Sequence, residues 1–79
     1  MMRLIRIMNN FHTITIGDLK IWFSYETPIA IKKNESNVII QESTWSKATG
    51  KHINYIKSNY NYLQVSQMDF ELELQRHIL

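Results

Sequence analysis

Hydrophobic and polar residues alternate along residues 11–42, and a period of two predicts β-strands. Turn-forming or polar residues interrupt the alternation at Gly17-Asp18, at Glu26-Thr27-Pro28 and over residues 33–37. Because the links between these runs are short, we expect neighbouring strands to pair as an antiparallel meander. The predicted strands cover residues 11–16, 19–25, 29–32 and 38–42.

The spacing of apolar residues changes to three and four after residue 43, which predicts an amphipathic helix. Gly50 lies inside this stripe, where it either costs about 1 kcal/mol relative to alanine or marks the close approach of another backbone. Three hydroxyl residues near the start of the stripe are possible N-caps: Ser43, Thr44 and Ser46. The stripe itself runs through Trp45, Ala48 or Thr49, His52 or Ile53, Ile56 and Tyr60.

A second helix begins after Ser66. Ser66 and Asp69 have the spacing of a capping box, and Val65 and Phe70 have that of a hydrophobic staple. Asp69 also places a negative charge in the first turn, which the helix dipole favours. We expect the helix to dock onto the sheet through Val65, Phe70, Leu74 and Ile78.

These patterns predict a single α+β domain over residues 1–79. The expected fold is a small antiparallel sheet of about four strands, followed by two helices packed on one face. Residues 1–10 are a possible N-terminal extension, since Met8 can itself serve as a start. The chain has 79 residues and no cysteine, so neither a disulfide nor a thiolate metal site supports the core.

Few residues suggest catalysis. The three histidines, His12, His52 and His77, fall on three different predicted elements, and no paired-carboxylate or metal motif is present. Residues 49–51 resemble the end of a phosphate loop, but the upstream glycine is missing and Lys51 is followed by histidine. We therefore expect a binding protein rather than an enzyme, with no cofactor and no metal.

Charge suggests where a ligand binds. The formal net charge is only +2, but residues 43–62 carry three lysines and no acidic residue. Lysines beside aromatic and polar side chains suit a nucleic-acid backbone and stacked bases. The alternative is a core helix whose lysines only face solvent. The candidate residues are Lys47, Lys51, His52, Tyr55 and Lys57.

Trp22 is a separate candidate. It points away from Ile21 and Phe23 on the predicted strand. If both helices cover one face, Trp22 lies on the open face as an anchor for a protein partner. If the second helix covers it, it belongs to the core. A homodimer is possible for so small a core. No run approaches the roughly 18 apolar residues of a membrane span, and neither a membrane nor a secretory location is expected.

Two segments resemble a family of short, uncharacterised proteins of tailed bacteriophages and prophages. They read Trp-Phe-Ser-Tyr-Glu-Thr-Pro-Ile-Ala over residues 22–30 and Trp-Ser-Lys-Ala-Thr-Gly-Lys-His-Ile-Asn over residues 45–54. The resemblance covers about residues 13–57 and implies a phage accessory protein in the host bacterial cytoplasm. Small phage proteins often bind and inhibit a host protein, including defence proteins such as CRISPR effectors. The alternatives are a nucleic-acid-binding protein and a minor virion or assembly protein.

Overall fold

The computed structural model describes residues 2–42 and 45–78, with the backbone alone at Ile78. Within these residues, six strands form one sheet in the order in which they occur along the chain, and two helices follow the fifth and sixth strands. The strands are β1 (Met2–Met8), β2 (Phe11–Ile16), β3 (Leu19–Ser24), β4 (Thr27–Lys33), β5 (Val38–Gln41) and β6 (Tyr62–Val65). The helices are α1 (Lys47–Asn59) and α2 (Gln67–Ile78).

The predicted meander is confirmed, because β1 to β5 pair in antiparallel fashion with their neighbours. Gly17 forms the turn after β2 with a φ of 61°, a conformation that costs glycine little. Pro28 was predicted to interrupt the sheet but lies within β4, opposite Phe23, where the register shifts. An irregularity of this kind is one of the few sites where a strand tolerates proline.

The sheet has six strands instead of about four. Residues 2–8, expected within a possible N-terminal extension, form β1 and pair with β2 from Met2 opposite Ile16 onward. β6 was missed because its four residues lie between two helical patterns. It pairs in parallel with β5, so the sheet is mixed and α1 forms the crossover between the two parallel strands.

The two helices cover opposite faces of the sheet, which corrects the expectation of one shared face. Ile53 and Ile56 of α1 pack against Trp22 and its neighbours, whereas Phe70 of α2 packs against Ile21 and its neighbours. Successive side chains of a strand point to opposite faces. β3 carries Leu19, Ile21 and Phe23 on the α2 face and Trp22, between Lys20 and Ser24, on the α1 face. Each face therefore has apolar surface that a helix covers.

The predicted start of α2 is confirmed. The Asp69 backbone N–H donates to Ser66 Oγ at 3.2 Å, and Phe70 is buried against β3 and β4 with Val65 and Leu74 beside it. The predicted contact of Ile78 lies outside the described side chains.

α1 begins after Ser46, whose Oγ accepts the Thr49 N–H at 3.2 Å. Ser43 and Thr44, the other predicted caps, lie outside the described residues. A side chain at Gly50 would meet no atom within 4 Å, so a close backbone approach does not explain this glycine. Neither described helix is long and apolar enough to cross a membrane.

Candidate functional site

Three segments meet at one end of the sheet. They are the β1–β2 turn at Asn9-Asn10, the β3–β4 turn at Tyr25-Glu26, and the first half of α1. The Tyr25 backbone N–H donates to the Asn10 carbonyl at 2.7 Å and ties the two turns together. Asn10 and Tyr25 both have positive φ, at 58° and 57°. This conformation suits asparagine but is unusual for a bulky aromatic residue.

A buried polar network lies under these turns and joins the sheet to α1. Ser24 Oγ lies 2.8 Å from Thr49 Oγ1 and 2.7 Å from His52 Nδ1. All three residues are buried. Phe11 stacks on the His52 ring with their centroids 4.6 Å apart and their planes 4° apart. The network therefore fixes both the position of α1 on the sheet and the plane of the imidazole.

Burial favours the neutral form of the His52 imidazole. It lowers the His52 pKa below the ordinary value of 6.5; the Asn9 backbone hydrogen bond opposes this shift, and the Lys51 charge adds to it. The 2.7 Å contact of Nδ1 with Ser24 Oγ is a hydrogen bond whose donor depends on the tautomer of the ring. His52 was predicted as a binding residue; the residue is only 4% exposed, and its contacts join α1 to the sheet.

The Ser24–His52 contact resembles a nucleophile paired with its base. Ser24 is only 2% exposed, and its hydroxyl also contacts Thr49, so no route for a substrate leads to it. Within residues 2–42 and 45–78, no three side chains of the His, Cys, Asp or Glu type gather as metal ligands. The contact is best explained as a structural hydrogen bond that positions α1.

Above the network lies an open cleft of about 580 Å³. Lys47 and Lys51 lie one helical turn apart on its rim, and none of its described lining residues is acidic. The positive end of the α1 dipole adds to the lysine charges. The first turn of α1 carries no acidic residue that would offset them. The cleft is lined by Met8, Asn9, Asn10, Tyr25, Lys47, Ala48, Lys51 and His52.

The structure separates the other predicted residues from the cleft. Tyr55 is not among the lining residues; it is 37% exposed, and its ring forms a T-shaped contact with Phe11. Lys57 follows Lys47 by ten residues, about 15 Å along the helix axis, and its Nζ lies 5.4 Å from the Tyr62 ring centroid. The three lysines therefore do not form one site.

Trp22 is fully buried under α1, which excludes it as an exposed protein anchor. Its ring meets the Tyr60 ring edge-on at 5.3 Å, and Lys20 Nζ lies 5.1 Å from its centroid. Its Nε1 atom is buried without a hydrogen-bond partner among the described residues.

Sequence reasoning missed Asn9, Asn10 and Tyr25 as lining residues. Tyr25 belongs to the segment 22–30 that carried the family resemblance, but its alternation placed it on the strand with Phe23. Its exposure of 51% follows instead from the turn that it initiates. The only local signal was the pair of asparagines, which favours a turn.

A family model described as a family of unknown function (DUF8033) matches residues 2–72. No curated protein and no solved structure matches the chain. The match gives no indication of a bacteriophage origin, which stays a prediction from the resemblance of the two segments.

Proposed function

The chain belongs to the DUF8033 family, whose function is unknown, and from its own geometry we propose that it binds single-stranded nucleic acid in the cleft. One observation carries the proposal: Lys47, Lys51 and the exposed Tyr25 line one cleft that has no acidic residue among its described lining. Lysines bind phosphates, an exposed aromatic ring stacks on a base, and the two asparagine amides offer donors and acceptors.

The number of cations favours a single strand over a duplex. Duplex-binding proteins commonly contact about 6–10 phosphates, whereas only two lysines line this cleft. Two phosphate contacts on a single strand predict a slope of about −1.4 for log K against log salt concentration. We therefore expect weak binding, in the micromolar range, that depends on stacking as well as on charge.

Fluorescence anisotropy with labelled oligonucleotides tests the proposal. We expect an oligothymidylate to bind at low salt, and a duplex of the same length to bind more weakly. Lys51→Ala should weaken binding and flatten the salt dependence, because one phosphate contact is lost. Lys57→Ala is the matched control, since this lysine lies against Tyr62, away from the cleft. Flat titrations, or equal losses in the two variants, would contradict the proposal.

Tyr25→Leu separates stacking from charge. It keeps an apolar side chain at the turn but removes the aromatic face, which should cost about 1–3 kcal/mol if one base stacks there. The salt slope should stay at the parent value, because no cation is lost. A thermal melt of the variant checks that the turn still folds.

A second candidate is the function that the resemblance implies: modulation of a host protein, such as a defence protein, in the bacterial cytoplasm. Exposed apolar side chains support it, above all Leu4, which is 65% exposed on β1. Affinity capture from lysates of plausible hosts, followed by mass spectrometry, tests it. Absence of any enriched protein across those hosts would count against it.

A further inference from the structure

β1 has the properties of a docking strand. It lies at the edge of the sheet and pairs with β2 on one side only. Alternate backbone N–H and C=O groups on its outer side are therefore free to bind a further strand. β1 is seven residues long and contains neither glycine nor proline, whereas the opposite edge strand, β6, has four residues.

Three side chains of β1 are apolar and exposed: Met2 is 69%, Leu4 65% and Ile5 41% exposed. Of the features that usually protect edge strands, which are charge, proline and shortness, β1 has only the charges of Arg3 and Arg6. On the α2 side of the sheet, a hollow of about 280 Å³ opens beside Leu4, lined by Ile14 and Phe23 and also by Glu26. Leu4 and Ile5 offer an added strand apolar contacts on the two faces of the sheet.

The charges of β1 select the partner. Arg3 and Arg6 are its only charged residues, and β2 carries no acidic side chain. Because side chains alternate, residues three apart point to opposite faces. The Arg6 guanidinium contacts the Asn9 side-chain carbonyl, which uses one or two of its five N–H donors. A second copy of this chain would bring two more arginines to the same ribbon, which disfavours a β1–β1 dimer.

We propose that β1 binds an extended acidic segment of another protein as a seventh strand of the sheet. This inference rests on protein binding, the second candidate function, and is independent of the cleft. The segment carries two acidic side chains three residues apart, one facing Arg3 and one facing Arg6, with apolar residues against Leu4 and Ile5. Main-chain hydrogen bonds supply affinity, and the two ion pairs set register and choice of partner.

The probe is a labelled eight-residue peptide of valine and threonine with glutamate at its third and sixth positions. One matched peptide has lysine at these two positions, and another has proline between them, which removes a backbone donor. We expect the glutamate peptide to bind at least tenfold more tightly than either of the others. Equal binding of the glutamate and proline peptides would overturn strand addition.

Charge reversal provides the decisive variant. R3E/R6E should prefer the lysine peptide, because the ion pairs re-form with opposite signs. If R3E/R6E does not fold, Arg3→Gln with Arg6→Gln replaces it and should lose the preference between the two peptides. A charge-altered variant that keeps the preference for glutamate overturns the proposal. So does a concentration-dependent dimer, seen by sedimentation velocity, that Arg3→Gln with Arg6→Gln strengthens.

Affinity capture with the parent and R3E/R6E distinguishes failure of docking on β1 from failure of protein binding altogether. A host protein captured equally by both leaves protein binding intact and removes β1 as its surface. A host protein captured by the parent alone agrees with docking on β1.

Discussion

The two faces of the sheet hold their helices by different kinds of contact. On the α2 face, Phe70 packs among leucine and isoleucine side chains, and the helix starts at a local cap. On the α1 face, apolar packing surrounds a buried network of Ser24, Thr49 and His52. Apolar contacts depend on area and tolerate small shifts, whereas buried polar groups must keep their partners. The α1 face is therefore the one suited to holding a site in a fixed geometry.

The largest expected effect removes the apolar anchor of α2. Phe70 is 1% exposed, and Phe70→Ala should lower the free energy of unfolding by about 3–5 kcal/mol. Because a domain this short has a free energy of unfolding near the low end of the usual range of about 5–15 kcal/mol, the variant should be largely unfolded near body temperature. A thermal melt followed by circular dichroism measures this. Leu72→Ala, at a position 58% exposed on the same helix, should change little. Equal melting of the two variants would show that α2 is not part of the core.

Breaking the network tests the α1 face. Ser24→Ala leaves His52 Nδ1 and Thr49 Oγ1 without their shared partner, and a buried group without a partner costs about 1–3 kcal/mol. The control is Ser58→Ala, because Ser58 only donates to the Asn54 carbonyl on the exposed side of α1. Denaturant titrations compare the two. If Ser24→Ala costs no more than Ser58→Ala, the network does not stabilise the contact between α1 and the sheet.

The same network gives the α1 face a pH dependence. Burial is the main cause that lowers the folded-state pKa of His52 below 6.5, so the unfolded chain takes up a proton first as pH falls. The free energy of unfolding should therefore decrease below about pH 6.5 and level off below the folded-state pKa. His52→Asn should lack this component. His12 and His77 are present in both proteins, so equal slopes of stability against pH would contradict the assignment to His52.

The helix caps should show smaller and independent effects on the two faces. Ser66→Ala and Ser46→Ala each remove an acceptor for a backbone N–H at 3.2 Å and should each cost about 1 kcal/mol. Because the two helices lie on opposite faces, the double variant should be additive within about 0.5 kcal/mol. Ser36→Ala, in an exposed loop, is the control. A double variant that departs strongly from additivity would indicate coupling between the faces.

The two faces also differ in how far the sequence predicts them. The docking of α2 follows from local signals, a cap, a staple and one apolar stripe, all within residues 65–74. The placement of Trp22 does not, since Trp22 stands between Lys20 and Ser24 on its face of β3, and only the crossover of α1 covers that face. β1 and β6 were missed as strands because one resembled an extension and the other is four residues long.

The residues that line the cleft also differ in how far the sequence predicts them. Lys47, Lys51 and His52 share one helix, and their spacing predicted that they lie near one another. Asn9, Asn10 and Tyr25 reach the cleft only through the register of two hairpins and the hydrogen bond between their turns. Lys57 has the right chemistry, but the helical period turns it away from the cleft. Residue type and local spacing therefore identified three of the eight lining residues, and long-range strand pairing supplied Asn9, Asn10 and Tyr25.

The last comparison concerns the two glycines, which both have open space around them but differ in backbone conformation. No atom lies within 4 Å of a Cβ placed at either residue, but Gly17 has a φ of 61° and Gly50 lies within α1. Gly50→Ala should raise the free energy of unfolding by up to about 1 kcal/mol, since alanine is the better helix former. Gly17→Ala should lower it by about 1–2 kcal/mol, the cost of a left-handed conformation for a residue with a Cβ. Melting temperatures measure both, with about 4–8 °C expected per kcal/mol in a domain of this size.

Oligonucleotide affinity should stay unchanged in Gly50→Ala, because Gly50 is not among the residues that line the cleft. Destabilisation by Gly50→Ala would instead mean that α1 needs a flexible first turn. The inference that the buried network holds the cleft in a fixed geometry would then be wrong.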